Sequence, residues 1–343
     1  MKNMIFEVTS KYHKLSMLDK HHRFKSWEHC FNFFYNNYKA IDDDTTIDHG
    51  CLHLAFYLAS FGMLRGGSFL LQKDYRIHEY FLKDVVRNPQ YHKYFDSKSQ
   101  RSINKMSVEG IDTLINETSN AYIKNISQIN GQDKTITVTD TLASKILLGV
   151  YGNVPAYDRY LRDGLKLHGI NQQFTEAALI ELVDFYNQNK EDFEKSQHSF
   201  KRDGTFYPPM KLIDMYFWQV GYLLENADEG SDEIKRIKEF AINFSNNRKN
   251  QLIGGSINMQ RSVKNPGLTD KIREYIIGRL NQAKADGFTS IDLKSGENHK
   301  SLKLENRMPA VTNAMVSLGV FRFEIIHDTP SGASSTKLVR YYL

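Results

Sequence analysis

Apolar residues recur at three- and four-residue spacing through most of the chain before residue 250, the period of helices with one buried face. The run from Leu52 to Phe61 is densely apolar and closed by Gly62, which predicts a buried helix. Ile77–Val86, Ile111–Ile126 and Phe174–Phe193 carry amphipathic helical spacing. Leu212–Leu224 predicts a strongly aromatic helix, with Tyr216, Phe217, Trp218 and Tyr222. Ile234–Phe244 predicts another, with Ser231 as its N-cap. Strand-like alternation is scarce in this part, so the expected class is mostly α.

The pattern changes from Ile253 to Gly267. This stretch is polar, contains Gly and Ser, and ends in Asn265-Pro266-Gly267, which reads as a linker. Beyond it, Thr269 is expected to cap a helix over Asp270–Ala285, followed by a short extended piece at Phe288–Leu293. A further helix begins near Pro309, a residue suited to the first helical position. The chain closes in a hairpin of Val320–His327 and Lys337–Tyr342 around a Pro-, Gly- and Ser-rich turn. Two domains are expected, 1–255 and 265–343. The second shows the helix, helix and two-stranded wing order of a winged helix-turn-helix, with α+β content.

Composition narrows the function classes. A hydrophobic fraction of 41% in 343 residues suits a well-packed core. A net charge of +5 permits a nucleic-acid partner without demanding one. From Lys264 to Leu343 there are 12 Lys and Arg against 8 Asp and Glu, a net of +4. Two cysteines, Cys30 and Cys51, make neither a disulfide framework nor a structural zinc site. His21, His22, His29, His49 and Asp48 lack the spacing of a metal motif, so neither metal nor cofactor is expected. Asp292-Leu293-Lys294 matches the tail of a nuclease signature but has no convincing acidic partners upstream. No signal-like leader and no membrane-length apolar run is found, so a cytoplasmic protein without membrane contact is expected.

The chemistry centres on Asp140–Gly164. An apolar helix carries Ser144 and Lys145, a turn follows at Gly152-Asn153-Val154-Pro155, and Asp158 opens the next helix. A carboxylate fixed at a helix start can stabilise positive charge on a sugar C1′ and position a water, the logic of glycoside hydrolysis. A lysine beside it can attack as an amine, contact a phosphate or pair with the acid. The Ser-Lys helix leading to Val154-Pro155-Ala156-Tyr157-Asp158 resembles the catalytic segment of the helix-hairpin-helix DNA glycosylases. Where that family carries a Gly-x-Gly hairpin, this chain has Thr137-Val138-Thr139-Asp140, in which Thr139 or Asp140 suits a helix cap.

The resemblance implies a helix-hairpin-helix glycosylase-like first domain with Asp158 and Lys145 as catalytic candidates. The glycine pair in Gly62–Lys73 allows close approach to a ligand, with Arg65, Ser68, Gln72 and Lys73 facing it. Trp27, in an aromatic group with Phe31, Phe33, Phe34 and Tyr35, is a candidate to stack a flipped base, and Tyr157, next to the acid, is a further substrate-binding candidate. The segment from His299 to Pro309, with Thr329-Pro330-Ser331-Gly332, resembles winged-helix modules of prokaryotic restriction and phage-defence proteins. There Asn306 and Arg307 suit base edges, and Lys300 and Lys303 suit phosphates. The resemblance implies a DNA glycosylase acting on double-stranded DNA, with a hypermodified cytosine of phage DNA as the expected base. A repair glycosylase for oxidised or alkylated bases, and a DNA-binding recognition subunit without chemistry, remain open at this point.

Overall fold

A computed structural model of the chain describes residues 3–96, 101–200, 205–258, 268–302, 304, 307–318, 321–329 and 334–343. The chain divides into two compact units, Met1–Gly254 and Gly255–Leu343. The first is almost wholly helical. Its elements are α1 (Met4–Met17), α2 (Lys25–Asn37), α3 (Asp44–Ser60), the single turn α4 (Glu79–Phe81), α5 (Ile111–Ile123), α6 (Asp140–Val150), α7 (Arg159–Leu167), α8 (Glu176–Gln188), α9 (Lys190–Ser199), α10 (Pro209–Asn226) and α11 (Asp232–Asn258).

Helix α10 is the centre of this unit. It buries residues on all sides, as a helix apolar around its circumference must. It packs against α7 closely enough that glycine is required at both contacts. A Cβ on Gly221 would stand 2.0 Å from the Tyr160 carbonyl oxygen, and one on Gly164 would stand 2.4 Å from that of Phe217. Around α10 a single apolar cluster draws on α1, α2, α3, α6, α7 and α8, so every element that bears on the site shares one core.

Several expectations are refined by packing. The Leu52–Phe61 helix begins earlier, at Asp44, because Asp43 caps it through the Thr46 N–H at 2.8 Å. Ile77–Val86 is not one α-helix. A 3₁₀ turn at Tyr75–His78, α4 and a π turn at Leu82–Val86 succeed one another, burying in turn His78, then Phe81, then Leu82, Val85 and Val86. Periodicity alone does not separate these geometries. A two-stranded hairpin, β1 (Gln128–Ile129) and β2 (Gln132–Asp133), turns on Asn130-Gly131, both with positive φ. That dipeptide is a recognised hairpin signal, carried by strands too short to show alternation. The expected linker is corrected at its start: Ile253–Asn258 completes α11, and the remainder lies outside the described residues.

The second unit contains α12 (Leu268–Ala285), β3 (Ser290–Lys294), α13 (Ser295–Ser301), α14 (Met308–Met315), β4 (Arg322–His327) and β5 (Leu338–Tyr342). The sheet is antiparallel in the order β3-β5-β4. Its core joins Ile272, Ile276 and Leu280 of α12 to Leu293, Val311, Met315, Val339 and Tyr341. Helix α12 starts at Leu268, so Thr269 sits in its first turn rather than capping it. Helix α13 was not foreseen. Its seven residues are mostly polar, and it is fixed by buried Asn298, which accepts from Arg279 Nη1 at 2.8 Å. Asp292 is not arranged as a nuclease acid. It forms a two-armed ion pair with Arg340 on the neighbouring strand, at 2.7 and 2.8 Å.

Candidate functional site

Helix α6 starts where Thr139 accepts the Leu142 N–H at 3.2 Å, which settles the cap between Thr139 and Asp140. The helix is buried from Leu142 to Val150, Lys145 included. It ends where Gly152, at φ +64°, returns its N–H to the Leu147 carbonyl. The chain then crosses Val154, Pro155 and Ala156 to Asp158, the N-cap of α7, whose Oδ1 accepts the Leu161 N–H at 3.1 Å.

Three side chains hold this short crossing. Ser144 Oγ accepts the Tyr157 N–H at 2.8 Å, and Thr141 Oγ1 donates to the Tyr157 carbonyl at 2.8 Å. Asp214 of α10 accepts the Ala156 N–H at 3.0 Å. As a result Asp158 Oδ2 stands 3.5 Å from Lys145 Nζ, with side-chain exposures of 20% and 7%. Lys145 Nζ also donates to the Phe61 carbonyl at 2.9 Å. Burial lowers the Lys145 pKa from the ordinary lysine value, an effect the Asp158 charge partly offsets. Burial raises the Asp158 carboxyl, offset chiefly by Lys145 and by its bond to the Leu161 N–H. Each charge is therefore kept by the other in a site that disfavours both.

The pair opens on a cavity of about 1040 Å³, at the upper end of the range for small-molecule sites. Its lining brings together Arg65, Ser68 and Gln72 from the glycine-containing loop, Asn130 and Lys134 from the hairpin region, and Thr135, Thr137 and Thr139 from the chain leading to α6. Phe24, Phe61, Tyr160 and Trp218 supply aromatic surface. Arg23, Arg65, Lys134, Lys145 and Arg159 face Asp158 as the one carboxylate in this lining. Arg159 is tied to Glu225 at 2.6 and 2.8 Å. Arg65 and Lys134 have no ion-pair partner among the described residues, which leaves the wall positive.

Not every expected residue reaches the cavity. Trp27 is 1% exposed, donates its indole N–H to the Leu148 carbonyl at 2.9 Å and stacks on Phe31. It is core, and the stacking role expected for it is corrected. Tyr157 is likewise buried, its ring against Phe174, because Pro155 and the Ser144 contact turn it inward. Its backbone serves the site and its ring does not. Lys73 stands off the cavity with Nζ on the Gln128 carbonyl at 2.8 Å, fastening the hairpin to the loop. Gln72 does the same through Asn130 while still lining the cavity. Ser68 lines it too and caps a 3₁₀ turn through the Leu70 N–H at 3.3 Å.

The sequence reading missed Asp214, Trp218 and Tyr160 as site residues. Asp214 had a signal, since Lys211 and Asp214 interrupt an otherwise apolar helix at i,i+3 spacing. In the second unit, Lys300 is exposed in the last turn of α13 and Arg307 is exposed just before α14. Lys303 and Asn306 lie outside the described residues. Among the described residues no group of His, Cys, Asp and Glu is placed to hold a metal ion, and no helix is long and apolar enough to cross a membrane. None of the protein-family models, curated proteins or solved structures compared with the chain matches it.

Proposed function

We propose that this cavity is the active site of a DNA N-glycosylase and that Asp158 is its catalytic carboxylate. The observation that carries the reading is the Lys145–Asp158 pair at 3.5 Å, partly desolvated beside a cavity with room for an extruded base. The glycosidic bond breaks with its electrons leaving on the base. Asp158 stabilises the positive charge that develops at C1′ and accepts a proton from the attacking water, whose oxygen becomes the new C1′ substituent. Electrostatic stabilisation of this kind is strongest where water is excluded and the group is already in place. Arg65 and Lys134, without an ion-pair partner among the described residues, suit the phosphates that flank a flipped nucleotide.

Lys145 is read as a cation that orients Asp158, since Nζ is engaged by both Asp158 and the Phe61 carbonyl. One observation favours a second reading: burial lowers the Lys145 pKa, as an amine nucleophile at C1′ requires. The second unit is proposed to be a winged helix that binds DNA. The order helix, strand, helix, helix, strand, strand and the β3-β5-β4 sheet support this. The proposed base is a hypermodified cytosine in phage DNA, such as glucosylated hydroxymethylcytosine, and the proposed role is phage defence.

The test is incubation of the full chain with phage DNAs that differ in cytosine modification, with mass analysis of released bases and borohydride added to parallel reactions. Free base, intact strands and no trapped adduct are expected. An adduct lost in Lys145→Ala makes the protein a glycosylase-lyase, and no base released from any DNA removes the enzymatic reading.

A further inference from the structure

Helix α10 is apolar over most of its surface, yet it buries Lys211 and Asp214 at 2% and 4% exposure. Removing two charges from water is expensive, and an apolar pair of similar size is often as stable or more so. The arrangement of the Asp214 oxygens gives the pair a use beyond packing. Oδ2 accepts from Lys211 Nζ at 2.8 Å, and Oδ1 accepts the Ala156 N–H at 3.0 Å. Ala156 is two residues before Asp158, and the Asp158 N–H returns to the Ala156 carbonyl at 2.7 Å. The carboxylate therefore holds the Pro155–Ala156 peptide, at the start of the turn that leads to Asp158. Lys211 is itself enclosed by rings, with Nζ 5.0 Å from the Trp27 centroid and 5.1 Å from that of Tyr12. Neither Lys211 nor Asp214 lines the cavity.

We propose that Asp214, held by Lys211, is the positioning residue of this site and fixes the Pro155–Tyr157 turn so that Asp158 stands beside Lys145. The proposal rests on the reading of Asp158 as the catalytic carboxylate. Asp214 acts through the backbone and touches no substrate. The close contacts of Gly164 and Gly221 fix α7 against α10, so the anchor and the helix that Asp158 caps move as one body. In the turn between them, the Asp214–Ala156 bond holds the first peptide, and Ser144 and Thr141 hold Tyr157.

Two double variants separate the anchor from the buried charge. K211M/D214N and K211M/D214A both remove the ion pair, so neither leaves an unpaired charge in the core. Asn keeps an acceptor for the Ala156 N–H and Ala does not. Three quantities are read: the single-turnover excision rate at saturating protein, the DNA dissociation constant, and amide hydrogen exchange across residues 154–158. The Asn variant should excise within about threefold of the wild type. The Ala variant should excise at least about tenfold more slowly at unchanged DNA affinity, because small misplacements of a reacting group carry rate losses of that order. Its Ala156 and Tyr157 amides should also exchange faster. If the Ala variant fails to fold, K211M/D214L fills the space and replaces it. Equal excision rates and equal exchange in the two variants overturn the proposal. Exchange does not depend on chemistry: if the wild type releases no base, the glycosylase reading fails while exchange still decides whether Asp214 anchors the turn.

Discussion

Replacing Asp158 by Asn separates the charge of this residue from its place in the fold. Asn caps helices as well as Asp does, so the 3.1 Å bond to the Leu161 N–H is retained. What disappears is one negative charge 3.5 Å from Lys145 Nζ. At side-chain exposures of 7% and 20% the pair lies between a surface ion pair and a fully buried one. Its loss should destabilise the fold by about 1–3 kcal/mol. Lys145 keeps the Phe61 carbonyl, and with the carboxylate gone its pKa falls further, which limits the damage. At about 2–4 °C per kcal/mol for a unit of this size, melting should fall by about 2–12 °C.

The effect on excision is expected to be of a different order. Removing one preorganised group that stabilises transition-state charge typically lowers the rate by about 10²–10³-fold. Single-turnover base release at a temperature well below the variant's melting point reads the chemistry, and a DNA titration at the same salt reads the binding. Asp158→Asn should bind DNA within about twofold of the wild type and release base at least about a hundredfold more slowly. Release within about threefold of the wild type would refute the argument, because Asp158 would then be an N-cap and nothing more.

Gly221→Ala places a Cβ 2.0 Å from the Tyr160 carbonyl oxygen, a backbone atom that cannot step aside, so destabilisation of at least about 3 kcal/mol is expected in denaturant melts. His168 is buried, donates to or accepts from Tyr216 Oη at 2.9 Å, and has its pKa lowered by burial to about 4 from an ordinary 6.5. The unfolded chain takes up the proton first, so the His168 contribution is complete above about pH 6.5 and is lost as pH falls towards 4. The loss is roughly 1.4 kcal/mol per unit, and melting curves across that window should decline less steeply for His168→Gln. Lys300→Ala/Lys303→Ala should reduce the slope of log affinity against log salt by up to about 1.8 if both side chains meet duplex phosphates, and parallel lines would remove the DNA-reading role of the second unit.

The helical class was legible because burial in this chain is carried by 3.6-residue periodicity, most plainly in α8. The Lys145–Asp158 pair was legible for a local reason: helix, short turn and capping acid are contiguous, so sequence spacing nearly fixes their distance. Of the cavity walls, Arg65, Ser68 and Gln72 were legible and the aromatic surface was not. Trp27 and Trp218 are both aromatic residues on amphipathic stretches, and only the packing of α10 decides which one faces solvent. Asp214 reaches Ala156 across 58 positions of sequence, a separation no local pattern reports. The π turn at Leu82–Val86 escaped for the opposite reason, since its apolar residues satisfy any helical period equally well.

The disposition of charge argues against Asp158 as a simple cap. Thr139 and Thr175 begin α6 and α8 with one hydroxyl bond each and no buried ion. The start of α7 instead has a partly buried carboxylate, a buried lysine beside it, three side chains holding the peptides before it and a second buried ion pair behind. A cap contributes about 1 kcal/mol and needs none of this. Desolvating Lys145 and Asp158 works against the fold, as the opposite directions of their pKa shifts record. Destabilised charges held rigidly at the edge of a cavity are what electrostatic catalysis requires, because their orientation is set before substrate arrives. The same reasoning predicts that K145M/D158N melts at or above the wild-type temperature at neutral pH. A clear loss of stability in that double variant would mean that the pair serves the fold rather than the cavity.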